Sequence, residues 1–138
     1  MIQRIQSLYL LVGAILLLVM MFLDSLAEST AAAVLPWYLP AVLVLAGLAA
    51  AAALVAIFIF RDRPKQAKMV LGVQSVTLVC MIALYGGIYL AGDSILGVES
   101  VEHALLLLLP ILAYIQFHLA RRSIRKDIEL IKSMDRLR

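Results

Sequence analysis

The sequence predicts an all-α membrane protein with four transmembrane helices in two antiparallel hairpins, followed by a basic amphipathic C-terminal helix. Three observations carry that expectation. Of the 138 residues, 64% are hydrophobic and only 15% charged, with a mean hydropathy of +1.04, which lies outside the range of soluble domains. Four long stretches contain no Asp, Glu, Lys or Arg, and as helices each matches the hydrocarbon thickness of a bilayer. Threading the chain back and forth through these stretches places all twelve basic residues on one side.

Residues 5–23 form the first span, 19 uncharged positions that reach about 28 Å as a helix. A cleaved signal peptide competes with this reading, because Arg4 is a short basic lead and Ser25-Leu26-Ala27 has a small-x-small pattern. The apolar stretch is long for such a leader, so the helix is expected to be retained. Residues 24–35 read as a short, mildly acidic connection. In Pro36-Trp37-Tyr38-Leu39-Pro40 proline opens a helix and the aromatic pair suits a membrane interface. The second span, about 38–60, has an Ala-rich centre in which Gly47 and Ala51 let a neighbouring backbone approach closely.

Residues 61–68, RDRPKQAK, are expected to form a basic loop whose proline stops the helix. The third span, 69–92, has a small-residue stripe of Ala83, Gly87 and Ala91, and Gln74, Ser75 and Thr77 can hydrogen-bond between helices. Asp93, Glu99 and Glu102 make the next connection acidic. The fourth span, 103–120, contains Pro110, where a kink is expected. Residues 1–120 are thus the transmembrane domain, and 121–138 the tail.

The basic side holds Arg4, the 61–68 segment and the tail, while the opposite side holds Asp24, Glu28, Asp93, Glu99 and Glu102 with no base. The positive-inside rule therefore predicts a multi-pass protein of the bacterial inner membrane with both termini cytoplasmic. The tail contains seven of the twelve bases and a net charge of +4. Ile124, Ile128 and Ile131 recur at helical spacing among Arg121, Arg122, Arg125, Lys126 and Lys132, so the segment is amphipathic. It can lie on an anionic leaflet, dock on a partner or on the protein's own cytoplasmic loop, or extend the fourth span into solvent. These eight residues are the candidate lipid or partner surface.

Nothing in the chain resembles catalytic machinery. The spans contain no carboxylate or amine, which argues against a small proton-coupled exporter. His103 and His118 are fifteen residues, or about 22 Å, apart on one helix and cannot share a metal. His103 has Glu99, Glu102 and Asp93 nearby, but an interfacial histidine among solvating acids is the plainer reading. Cys80, the single cysteine, sits within an apolar run and reads as a small buried hydrophobe. No cofactor, no metal and no nucleic-acid partner is expected, and the chain is read as non-enzymatic. The expected partners are membrane lipids, and another membrane subunit or a second copy of the chain. The expected role is an accessory or scaffold subunit. The alternative is a small oligomeric transporter or channel, with a polar cavity lined by Gln74, Thr77, Gln116 and the Pro110 break.

The opening segment MIQRIQSLYLL, together with Ile124-Arg125-Lys126-Asp127 and Ser133-Met134-Asp135-Arg136-Leu137-Arg138 at the close, resembles the domain-of-unknown-function family 4293. That resemblance implies small four-helix inner-membrane proteins of Bacteroidota. It carries no assigned activity and transfers no site residue. It implies an uncleaved first helix, and it implies that the termini hold the family's specificity.

Overall fold

The computed structural model describes residues 2–92 and 100–135. Among the described residues the chain is entirely helical: α1 (Ile2–Met21), α2 (Asp24–Ala27), α3 (Thr30–Val34), α4 (Tyr38–Phe58), α5 (Arg63–Leu90) and α6 (Val101–Asp135). The four long helices form a ring in which α1 packs on α6 and α4, and α5 packs on α4 and α6.

Each long helix buries a seam whose members alternate three and four residues apart, the spacing that keeps one face of a helix against its neighbours. On α1 the seam runs through Gln6, Leu10, Gly13, Leu17 and Met20; on α5 it runs through Gln66, Val70, Val73, Thr77, Cys80, Leu84 and Gly87. α4 contributes mostly alanine, with Ala46, Ala49, Ala53 and Ala56 buried. Large apolar side chains point outward instead, among them Leu8, Ile15, Val44, Leu78, Ile82 and Ile115. An apolar belt of that extent is suited to lipid, not water.

Three helices, α4, α5 and the Val101–Ile131 part of α6, are long and apolar enough to cross a membrane. α1 and residues 24–34 pass the same test together as a pair bent by 57°. The expected connection over 24–35 is mostly helical, folded into α2 and α3. Ser29 caps α3 by accepting from Ala32 N at 3.2 Å, and Leu26 and Ala31 bury their side chains in the core.

The expected loop over 61–68 shrinks to a tight turn between α4 and α5. Pro64 does not stop α4, which has already ended at Phe58; it occupies the first turn of α5, where its missing N–H costs no helical bond. Asp62 caps that helix through Lys65 N at 3.2 Å. Asp93 and Glu99 of the acidic connection lie outside the described residues. α6 continues through Pro110 and on into the tail as one helix of 35 residues, about 52 Å long. Tyr85 Oη donates to Leu107 O at 2.6 Å, one residue from the carbonyl that Pro110 leaves without its helical donor.

The small residues divide by face. Gly87 lies directly under the Tyr38 ring, so a Cβ there would overlap it. Ala83 and Ala91 pack against the same part of the core, and Gly47 faces Met21. Ala51 is exposed, so the packing role expected of it falls to Ala49, Ala50 and Ala53, which lie on the inner face of α4. Gly13, not anticipated from sequence, admits the Phe117 ring in the same way that Gly87 admits Tyr38.

Candidate functional site at the basic end

The last turns of α6 have two faces with opposite surroundings. Ile124 is fully buried, on a seam with Ala113, Phe117 and Ala120, and Ile128 packs beside it against the core. Ile124 is therefore a packing residue that faces α1 and its neighbours, which corrects its expected place on the lipid or partner surface. Ile131 is exposed one turn further on. Lys132 belongs to α6 but its side chain, like Arg136 and Arg138, lies outside the described residues.

Asp127 continues the buried seam, three residues after Ile124. A carboxylate on such a face needs partners, because burying an unpaired charge is costly. Two arrive from other helices. Gln6 Nε2 donates to Asp127 Oδ2 at 2.8 Å from α1, and Arg63 Nη1 reaches the same oxygen at 3.3 Å from the start of α5. Gln6 is 3% exposed and Asp127 5%, so this is an interior contact, with the Arg63 side chain still 28% exposed at its edge. One carboxylate oxygen thus ties together three helices, and it joins the two chain ends that carry the family resemblance.

Two more buried glutamines work nearby. Gln66 Nε2 donates to Ala56 O at 3.0 Å, bracing the α4–α5 turn. Deeper in the bundle, Gln74 Oε1 accepts from Arg121 Nη1 at 3.3 Å, while its Nε2 lies 3.5 Å from His118 Nδ1. Gln74 thereby fixes the root of the basic face.

The outer face holds Arg121, Arg122, Arg125 and Lys126, which with His118 and Glu129 line an open groove of about 340 Å³. Arg122, Arg125 and Lys126 are exposed, and no ion pair among the described residues neutralises any of the four bases. Asp127 turns inward to Arg63, and among the described residues Glu129 is the only acid lining the groove. The other side of the same end differs. Between α1 and α4, Leu8, Leu11, Leu54, Ile57, Phe58 and Phe60 line an apolar groove of about 750 Å³.

Of the residues named for a polar cavity, Gln74 is committed as described and Thr77 Oγ1 donates to Val73 O of its own helix at 2.8 Å. Gln116 is half-buried. Cys80 is buried, with Sγ 3.7 Å from Val42 O. His103 donates its backbone N–H to Ser100 Oγ at 3.1 Å, and among the described residues its Nε2 has no hydrogen-bond partner. Among the described residues no three His, Cys, Asp or Glu side chains converge on a metal-sized space.

Sequence reading missed Gln6, Gln66, Asp127 and Gly13 as structural residues. The signal was present for Asp127: counting back from it by three and four gives Ile124, Ala120, Phe117 and Ala113, an apolar seam that a lone aspartate interrupts. The sequence profile of the domain of unknown function DUF4293 matches residues 2–137. No curated protein and no solved structure matches the chain.

Proposed function

We propose, from the premise that the chain belongs to the DUF4293 family, a domain of unknown function, that it is a non-enzymatic accessory or scaffold protein of the bacterial inner membrane. It crosses the membrane four times in two antiparallel hairpins, with both termini in the cytoplasm, and offers the basic end of α6 to the inner leaflet or to a partner. The observation that carries this reading is the basic face at Arg121, Arg122, Arg125 and Lys126, without an ion pair among the described residues, set immediately beyond an apolar run on a helix that Gln74 and Asp127 tie to its neighbours. Positive charge flanking a span favours the cytoplasmic side.

The pairwise contacts support the hairpins. Gln74 meets Arg121 and Tyr85 meets Leu107, so rising numbers on α5 pair with falling numbers on α6. Leu8 and Leu11 share a groove with Leu54 and Ile57, and Met21 lies against Gly47, which relates α1 and α4 in the same way. Trp37 and Tyr89 are exposed at the opposite end, suited to the outer interface.

Cysteine labelling in intact cells tests the orientation, using a Cys80→Ser background because Cys80 is the single native thiol. A membrane-impermeant maleimide is expected to label Thr30→Cys in whole cells and Ser133→Cys only after lysis. Labelling of Ser133→Cys in whole cells would sink the proposed orientation.

A further inference from the structure

We infer that the α6 groove binds the phosphate of an anionic phospholipid headgroup, a reading that deepens the proposed inner-leaflet role and rests on it. The groove is one part of a longer outward stripe on α6. Leu108, Ile111 and Ile115 are exposed large apolar residues, and the stripe continues at the same three-and-four spacing through His118, Arg122, Arg125 and Glu129. From Ile115 to Arg122 is seven residues, about 10 Å along the helix. A ligand lying on this stripe meets hydrocarbon-like surface at one end and a phosphate-sized cluster of cations at the other. An amphiphile satisfies both; a soluble anion would use only the second.

The cations suit phosphate. Arginine presents a planar fork of donors that pairs with phosphate oxygens in two parallel bonds. Gln74 takes one of the five N–H donors of Arg121 and holds its guanidinium against α5, leaving the others for a ligand. Arg122, Arg125 and Lys126 have no competing ion pair among the described residues. With Glu129 the sole acid among the described residues that line the groove, four bases less one acid leave a net of three positive charges there. Asp127 does not offset this charge, because it lies on the buried seam three residues after Ile124 and faces Arg63 and Gln6 instead.

The test uses the full chain purified in a neutral detergent and native mass spectrometry. Phosphatidylglycerol and phosphatidylcholine of equal chain length are offered at equal concentration, with and without excess inorganic phosphate. Phosphatidylglycerol is expected to be retained about tenfold more than phosphatidylcholine, since each engaged base near a membrane surface contributes a few-fold preference. The Arg122→Gln/Arg125→Gln double variant is expected to lose most of that preference at an unchanged melting midpoint. Gln74→Leu is expected to lose part of it, because Arg121 is then no longer held. Equal retention of the two lipids, or full preference in the double variant, overturns the inference. Displacement of the lipid by inorganic phosphate overturns it as well, in favour of a soluble phosphate ligand. The maleimide labelling reads orientation independently, so failure here leaves the membrane reading intact, whereas external labelling of Ser133→Cys removes both.

Discussion

At the end of the bundle where α4 turns into α5, glutamine and aspartate side chains tie helix to helix, whereas near the bend of α1 into α2 and α3 a tyrosine ring seated on a glycine does the same work. Gln6, Gln66 and Asp127 each reach across to another helix through a directed bond. At the opposite end Tyr38 covers Gly87, and Leu26 and Ala31 fold in beside Met20, Leu84 and Leu106. Lipid tails are as apolar as leucine, so no hydrophobic force draws spans together within a bilayer. Close packing and interhelical hydrogen bonds must do it. Both ends draw on both means, since Tyr85 also donates to Leu107 O and Gly13 also admits Phe117, but the buried amide and carboxylate ties lie at the end that presents bases outward, while the bend presents the acids Asp24 and Glu28.

The largest expected effect breaks the packed end. Gly87→Leu forces a side chain into the space of the Tyr38 ring, and overpacking of a tight helix contact costs up to about 3 kcal/mol. The melting midpoint in detergent is expected to fall sharply, and adding Tyr38→Ala is expected to restore part of it. If Gly87→Leu with Tyr38→Ala is no better than Gly87→Leu alone, the ring contact is not what holds that end.

A smaller loss is expected at the polar end. Asp127→Asn keeps the shape of the side chain but removes the charge that Arg63 meets at 3.3 Å, and its single carbonyl oxygen must serve Gln6 as well. A hydrogen-bonded charge contact of this kind contributes about 2 kcal/mol, and the partial exposure of Arg63 lowers the share due to the ion pair. Limited proteolysis of the chain after Ile131 is expected to quicken together with a lower midpoint. An unchanged midpoint would show that the apolar seam holds the α6 tail without Asp127.

The contrast between the two ends also explains what could be read from sequence. Charge-free runs mark spans because lipid excludes ionised side chains, and these runs agree with α4, α5 and the first part of α6 to within a few residues at most boundaries. The end of α6 was harder, because composition changes at Arg121 while the backbone does not. Treating residues 121–138 as a separate amphipathic helix hid the fact that Ile124 and Asp127 continue the seam of Phe117 and Ala120. Gly13 was illegible for a different reason, since whether a glycine receives a ring depends on which residue the partner helix sets opposite. The short helices α2 and α3 were obscured by their few charges, although Ser29 stands where an N-cap belongs.

The smallest expected effect lies at the exposed margin of the polar end, and it separates buried from solvated charge there. Lys65 places its Nζ 2.8 Å from Asp62 Oδ2, and its backbone N–H adds a bond to Oδ1, so the Asp62 carboxyl is held below its ordinary value of 3.8. A carboxyl whose folded value is depressed stabilises the protein above its unfolded value and loses that contribution as pH falls through the folded one. Wild type is therefore expected to lose slightly more of its melting midpoint than Asp62→Asn between pH 5 and pH 3, roughly the interval around an aspartate's titration. Solvent screening keeps the difference small, because the pair is open to water. Asp127→Asn at neutral pH supplies the contrast: its loss is the larger of the two, because the contact it breaks is inside the bundle. If Asp62→Asn instead matched Asp127→Asn at neutral pH, the α4–α5 turn, and not the buried carboxylate, would be what organises this end.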